Sequence, residues 1–353
     1  MRLLIITQKV DREDSVLGFF HYWISHLAEH FDTIKIIALS VGASDLPDNV
    51  ELFSLGKEKN APKLLQAFRF YWYLFRILPK VDGVFAHMAP EYVRALYPLN
   101  VFFRRPVIMW YAHLKVSPTA RWAIKHADFV LSPSKDSFEF DSPKVIATGH
   151  GIDTEQFSPG LSAPTSSSIM TISRISKEKR IEVAIRAMKI LVKDRKRTDV
   201  RLHIFGTPLR RDDMEYEKIL RALVVANHLR EFITWEGPVA NKDAPTVYRS
   251  HQIFIRMQGG GGFGKTELEA MSTGIPAITP TPVYKNDLGK FADDLFFPED
   301  DARGLAYCIT RVLSWGSARR AEYSKLSREI VKNKHDVRHV ASEIARLLEK
   351  ARR

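Results

Sequence analysis

A single cysteine, Cys308, stands in the whole chain. That scarcity excludes an intrachain disulfide and a cysteine-built zinc site, and it fits a reducing compartment. Long apolar runs are lacking too, since no stretch approaches the ~20 apolar residues that a membrane-crossing helix needs. The opening "MRLLIIT" is apolar for only a few residues before Lys9 and Asp11, and it reads as a first strand rather than a signal peptide. A cytoplasmic protein is therefore expected. Zinc-finger spacing, a basic region with heptads and an RRM-like aromatic signature are also missing, so nucleic acid is not an expected partner. No Asp-x-Asp stands at a strand end to carry a metal, and no carboxylate pair at glycosidase spacing can be read.

What the chain does have is bulk and a lopsided charge. Its 353 residues are 45% hydrophobic and 27% charged, a composition that suits a soluble globular protein of two domains, roughly 150 to 200 residues each. Residues 1–160 hold 18 lysines and arginines against 17 acids, a net of +1. Residues 161–353 hold 35 against 24, a net of +11, so the second half is the one expected to meet an anion. Short apolar segments alternate with helical patterns: "RLLIIT", "TIKIIAL", "GVFAHM", "PVIMWYA" and "DFVLSPS", then "SIMTIS", "RLHIFG", "FITWEG", "QIFIRM" and "PAITP". Such alternation predicts parallel sheets with helices on both faces, built twice, with ligands at the carboxyl ends of the strands. The Pro-, Ser- and Gly-rich "GIDTEQFSPGLSAPTSSS" (151–168) reads as the joint. Residues 319–353 read as helical and polar at most positions.

"GGGGFGKTELEAMSTGIP" (259–276) contains the phosphate-loop pattern, with Gly259, Gly264, Lys265 and Thr266 in the required places. A phosphate-loop NTPase needs several further strands, one ending in an Asp that holds magnesium. Only 87 residues follow Thr266, and beyond "PAITP" they read mainly as helices. Glu267 and Glu269 also stand in the first turn of the helix, where carboxylates suit the dipole and repel a triphosphate. The NTPase stays as a remote alternative.

Including the helix improves the match. "GFGKTELEAMSTGIPAI" resembles the signature of retaining glycosyltransferases of family 4, in which a Gly-Phe-Gly loop leads into a helix reading LEAM-x-x-G-x-P. Other pieces come in the family's order: "GHGIDTEQFSP" (149–159), "TISRISKEKRIEVAIRAM" (171–188), "HIFG" (203–206), "ITWEGPV" (233–239) and "FFPEDDARGLAYCITRVL" (296–313). The resemblance implies the α/β GT-B fold, two Rossmann-like doubly wound domains facing a central cleft. Residues 1–160 would bind the acceptor and 161–320 the nucleotide sugar, with C-terminal helices over 321–353 packing back across the joint. It also implies a retaining, metal-independent enzyme of the hexosyltransferase type, without a cofactor. The donor is a nucleotide-diphosphate sugar, and the acceptor a hydroxyl of a glycan or lipid-linked glycan.

Breaking the bond to a diphosphate builds negative charge on it, and fixed donors lower that barrier. Arg174 and Lys179 flank a short loop between a strand and a helix, one offering bidentate geometry and the other a point charge. The resemblance makes them the leaving-group clamp. Gly262 and Gly264, either side of Phe263, let the backbone approach sugar and phosphate. Lys265 and Thr266 offer backbone N–H groups at the helix start, and Glu269 matches the glutamate that holds ribose hydroxyls. Glu267 is read as serving only the helix dipole. Gly206 and Val239 complete the matched loops of the second half. In the first half, Gly18 of "SVLGFFHYWISHL" is matched to the glycine near the diphosphate. His113, ending "VIMWYAH", is the candidate sugar-contacting histidine, with His87 and His150 as rivals. Front-face attack, with the leaving phosphate taking the acceptor's proton, is implied, so no protein nucleophile is needed. The chain departs from the family at Gly261, where a second glutamate is usual, eight residues before Glu269. A catalytically weakened relative that binds a nucleotide sugar or partner without turnover is the alternative this raises. Arg180 replaces a usual glycine and brings another charge near the phosphates.

The most aromatic stretch is "LLQAFRFYWYLFRILP" (64–79). On a helix, Gln66, Arg69, Tyr73 and Arg76 form one polar stripe and the rest is apolar. Such a helix is buried on most sides or dips into a membrane surface. Burial is the expectation, and peripheral contact of the first domain with the inner face of a membrane is the alternative.

Overall fold

Residues of "RLLIITQKV" point alternately to opposite faces of a strand, and both sets are apolar, so each face needs a covering layer. The computed structural model, which describes residues 1–112, 116–134, 142–160, 164, 167–260 and 264–352, has that arrangement. The chain forms two compact units: Met1–Asp153 with Ala240–Lys242 and Lys334–Arg353, and Thr154–Val239 with Asp243–Asn333.

The first unit runs β1 (Arg2–Val10), α1 (Phe19–Ala28), β2 (Thr33–Val41), β3 (Val50–Ser54), α2 (Lys63–Ile77), β4 (Gly83–His87), α3 (Pro90–Phe103), β5 (Val107–Trp110), α4 (Pro118–His126), β6 (Phe129–Ser132) and β7 (Val145–Ala147). Its strands are parallel, in the order β3-β2-β1-β4-β5-β6-β7. Leu3 and Ile5 enter a core with α1, while Leu4 and Ile6 enter another with α2, α3 and α4. The outermost strands, β3 and β7, are announced by no apolar run because their residues are only partly buried.

The second unit runs β8 (Ser168–Ile172), α5 (Ile181–Lys189), β9 (Arg201–Phe205), α6 (Arg211–Ala226), β10 (Ile233–Gly237), α7 (Ala244–Arg249), β11 (Ile253–Ile255), α8 (Lys265–Ser272), β12 (Ala277–Ile278), α9 (Lys285–Leu288), α10 (Ala292–Leu295), α11 (Ala302–Leu313) and α12 (Ser317–His335). Its parallel strands are ordered β10-β9-β8-β11-β12. Each unit is thus a doubly wound parallel sheet, as the sequence led one to expect.

The C-terminal stretch is helical, as read from the sequence, and its last helix, α13 (Val337–Arg352), is amphipathic. Val337, Val340, Ala341, Ile344, Leu347 and Leu348 form one apolar face, which is buried in the same core as α1. One reading of the sequence is corrected here: α2 is not buried on most sides. Phe70, Leu74 and Ile77 meet the core, while Leu64, Phe68, Trp72 and Phe75 are exposed. A helix on a sheet covers it with one face only, and no described element covers the other. Among the described residues no helix is long and apolar enough to cross a membrane.

Candidate functional site

In the second sheet β8 lies between β9 and β11, so the strand order reverses beside β8. Loops leaving such neighbouring strands in opposite directions open a crevice at their carboxyl ends. The loop after β8 carries Arg174 and Lys179, and the loop after β11 carries Arg256 and Gln258. Lys179 Nζ donates to Gln258 Oε1 at 2.8 Å and ties the two loops together. Burial first, and then Arg256 and Arg174, disfavour the charge on Lys179 and lower its pKa to about 8. Arg174 itself is exposed.

Arg256 pairs with Glu267 at 2.5 Å, and Glu267 is 0% exposed. The same carboxylate accepts the Gly264 N–H at 2.5 Å, which fixes the start of α8. Glu267 therefore does more than serve the helix dipole, because it holds the strand-end arginine and the glycine loop together. Its Oε1 has no hydrogen-bond partner among the described residues. Two residues on, Glu269 accepts from Lys265 Nζ at 3.0 Å and from the Tyr248 hydroxyl at 3.0 Å. Burial and then Glu269 raise the Tyr248 phenol well above its ordinary pKa, so it stays a donor. That hydroxyl also lies 3.1 Å from the Thr266 carbonyl oxygen.

Gly206, following β9, has φ +139° and donates to the Gly237 carbonyl at 2.7 Å. A Cβ on it would lie 1.8 Å from the Ser173 carbonyl oxygen, so the absence of a side chain sets the path of the Arg174 loop. Val239, half-buried, follows β10. Arg180 does not leave its charge in the crevice, since it pairs with Asp300 and, at 3.1 Å, with Glu299. Glu299 also accepts the Gly259 N–H at 3.1 Å.

Arg174, Lys179, Gly206, Val239, Gly264, Lys265, Thr266 and Glu269 thus gather at the carboxyl end of one sheet. Gly18 belongs to the first unit, where it precedes α1 and donates to the Asp14 carbonyl at 3.1 Å. His113, Gly262, Phe263 and the departure Gly261 lie outside the described residues. Of the rival histidines, His87 is buried and stacked on Phe20, ring centroids 3.7 Å apart. The backbone N–H of His150 donates to His335 Nδ1 at 3.2 Å. Sequence reasoning missed Arg256, Gln258 and Tyr248. A signal for Arg256 was available, since a charged residue ending the apolar run "QIFIRM" stands at a strand's carboxyl end, as Arg174 does.

Residues 166–314 match the family model for glycosyl transferases group 1. The group 1 span contains every second-unit residue named in the crevice. The lipopolysaccharide core biosynthesis mannosyltransferase LpsB of Rhizobium meliloti is 26% identical over 186 residues, 49% of this chain and 49% of that protein. Mannosylfructose-phosphate synthase of Agrobacterium fabrum is 23% identical over 110 residues, 31% of this chain and 24% of that protein. The matches thus span about half and about a quarter of these curated relatives. Among solved structures, Anabaena Alr3699/HepE in complex with UDP has a TM-score of 0.76 at 17% identity, covering 99% of this chain and 100% of that one. At that identity the likeness speaks to the fold alone.

Proposed function

We propose that this protein is a retaining, metal-independent glycosyltransferase of the hexosyltransferase type. It moves a sugar from a nucleotide-diphosphate sugar to a hydroxyl of a glycan or lipid-linked glycan. The observation that carries this reading is Lys179, a half-buried cation crowded by Arg256 and Arg174, at the point where the strand order reverses. A bound diphosphate relieves that crowding, and the same cations stabilise the charge that builds on it as it leaves. N–H groups of Lys265 and Thr266 at the start of α8 add to the anion site, and Gly262 and Gly264 leave the backbone open to sugar and phosphate. In this reading Gly18 and Gly206 border the diphosphate, Val239 the base, and Phe263 and His113 the sugar. Glu269 accepts ribose hydroxyls, trading its lysine partner for them.

The group 1 match and the UDP held by Alr3699/HepE, which has also been solved with UDP-glucose, support the donor class. LpsB, named for lipopolysaccharide core biosynthesis, supports a glycan or lipid-linked acceptor, reached by peripheral contact of the first unit with the cytoplasmic face of a membrane. No cofactor takes part, since the leaving phosphate itself accepts the proton. Calorimetric titration with UDP-, GDP- and ADP-sugars, ATP and GTP tests the reading. One nucleotide sugar should bind equally well with EDTA present and fail to bind Arg174→Ala. Glu269→Gln should weaken that donor by about tenfold, the loss of one charged hydrogen bond. Binding without turnover would favour the weakened relative. Magnesium-dependent ATP or GTP binding that vanishes in Thr266→Ala would overturn the reading in favour of an NTPase.

A further inference from the structure

The face of α2 turned away from the core is the least expected surface of the first unit. Leu64 is 87% exposed, Phe68 65%, Trp72 49% and Phe75 64%, with Tyr71 beside them. At 100° per residue these positions fall within about 120° of arc, roughly opposite Phe70, Leu74 and Ile77, which meet the core. They make one stripe about 17 Å long. Phe68 and Trp72 stack with ring centroids 6.3 Å apart, and the Arg76 guanidinium lies 5.1 Å from the Trp72 ring centroid. The C-terminal end of α3 adds to the surface. Arg105, just beyond it, donates to the carbonyls of Leu78 at 3.2 Å and Pro79 at 2.9 Å, and Phe102 in the last turn of α3 is 80% exposed.

Charge is concentrated in the same stretch. Residues 57–105 hold nine lysines and arginines against three acids, a net of +6. The rest of residues 1–160 holds nine against 14, a net of −5, so the near-neutral total conceals a basic pole. Arg69 and Arg76 border the apolar stripe on one side, and Lys63 and Lys80 stand at its two ends.

We infer that this face of α2, extended by the end of α3, lies in the interface of an anionic phospholipid bilayer. The inference deepens the membrane contact of the proposed function and rests on that reading only for the acceptor's location. Aromatic rings are suited to the boundary between headgroups and acyl chains, and long basic side chains reach from its edge to the phosphates. Each such cation near an anionic surface adds to binding. The stripe is the convex side of a helix, with no groove to seat a protein partner's side chains. A second copy of the chain is a poor occupant, because a two-fold contact would bring two basic poles together.

Sedimentation with vesicles of phosphatidylcholine alone and of phosphatidylcholine with phosphatidylglycerol tests the inference. The protein should partition into the anionic vesicles at least about tenfold more strongly. Phe68→Ser with Phe75→Ser should cut that partitioning about tenfold or more. Lys63→Glu with Arg76→Glu should remove the preference for phosphatidylglycerol. Trp72 emission should shift to the blue on binding and be quenched by brominated acyl chains, a signal absent in Trp72→Phe. All four side chains in the paired variants are exposed, so melting temperature should hold. Failure to bind either vesicle, or binding that the serine variant retains, would overturn the inference. So would a concentration-dependent dimer in ultracentrifugation that the serine variant abolishes, since a second copy would then cover the face. Nucleotide-sugar titration on the same preparations separates the two ideas. Donor binding without vesicle binding sinks the bilayer contact alone, and the reverse sinks the glycosyltransferase alone.

Discussion

Lys179→Met will melt at a higher temperature than the wild-type protein and will have lost its affinity for the donor. Both effects follow from a lysine whose pKa is lowered to about 8 by burial and by its neighbours Arg256 and Arg174. An unfolded lysine keeps its ordinary value near 10.4. Between those two values the unfolded chain holds more protons than the folded one, so this group's penalty is full below pH 8 and fades as pH rises toward 10. Removing the charge near pH 7 should therefore stabilise the free protein by about 1–3 kcal/mol, and the advantage should vanish above about pH 10. Binding runs the other way. The diphosphate needs the protonated lysine, so wild-type affinity should fall as pH rises through 8, and Lys179→Met should bind at least about a hundredfold more weakly. Thermal melts at pH 7 and 10, with donor titrations at pH 7 and 9, check all of this. A variant that melts lower and still binds the donor would show that Lys179 is a structural residue.

Gly206→Ala will be among the most damaging single-methyl additions in the second unit. The new Cβ would sit 1.8 Å from the Ser173 carbonyl oxygen, and the backbone at φ +139° is a conformation that L-residues rarely adopt. Neither the carbonyl nor the strand end can yield without moving Arg174, the next residue. The expected cost is about 2–4 kcal/mol, read from the urea midpoint, with donor affinity falling through the displaced loop. Gly237→Ala is the control. Its φ is +80°, yet nothing lies within 4 Å of the added carbon, so only conformational strain of about 1 kcal/mol applies. Equal losses in the two variants would mean that the contact with Ser173 is not what matters.

The strands of the second sheet were legible because each is a short apolar run ending in a loop with charged or small residues. The edge strands of the first sheet were not, since half-exposed residues such as those of "VELFS" leave no hydrophobic trace. Arg174, Lys179, Gly264 and Glu269 were singled out together because a family signature spaces them, and the structure brings them to the carboxyl end of one sheet. Arg256 was passed over although its charge stands just past the strand, because the apolar Met257 after it let "QIFIRM" read as strand throughout. Glu267 was misjudged for a related reason, since its partner stands 11 residues away on another element, and first-turn glutamates usually need no partner. With α2 the pattern recorded that two faces are apolar, but sequence cannot say whether a second face has anything to cover it.

The path of the chain has a consequence for how the protein is made. Trp23 of α1 donates to the Gly151 carbonyl at 2.7 Å, and beside that pair α13 delivers six apolar side chains to the core. A ribosome therefore releases every strand of the first unit, and then the whole of the second, before supplying the helix that seals the first. Until then, that side of the earliest sheet is covered by α1 alone for the time needed to add nearly 200 residues, some ten seconds or more at ordinary elongation rates. Nascent chains stalled short of residue 337 should engage holdase chaperones through the β1–β4 face, and chains stalled with α13 clear of the exit tunnel should not.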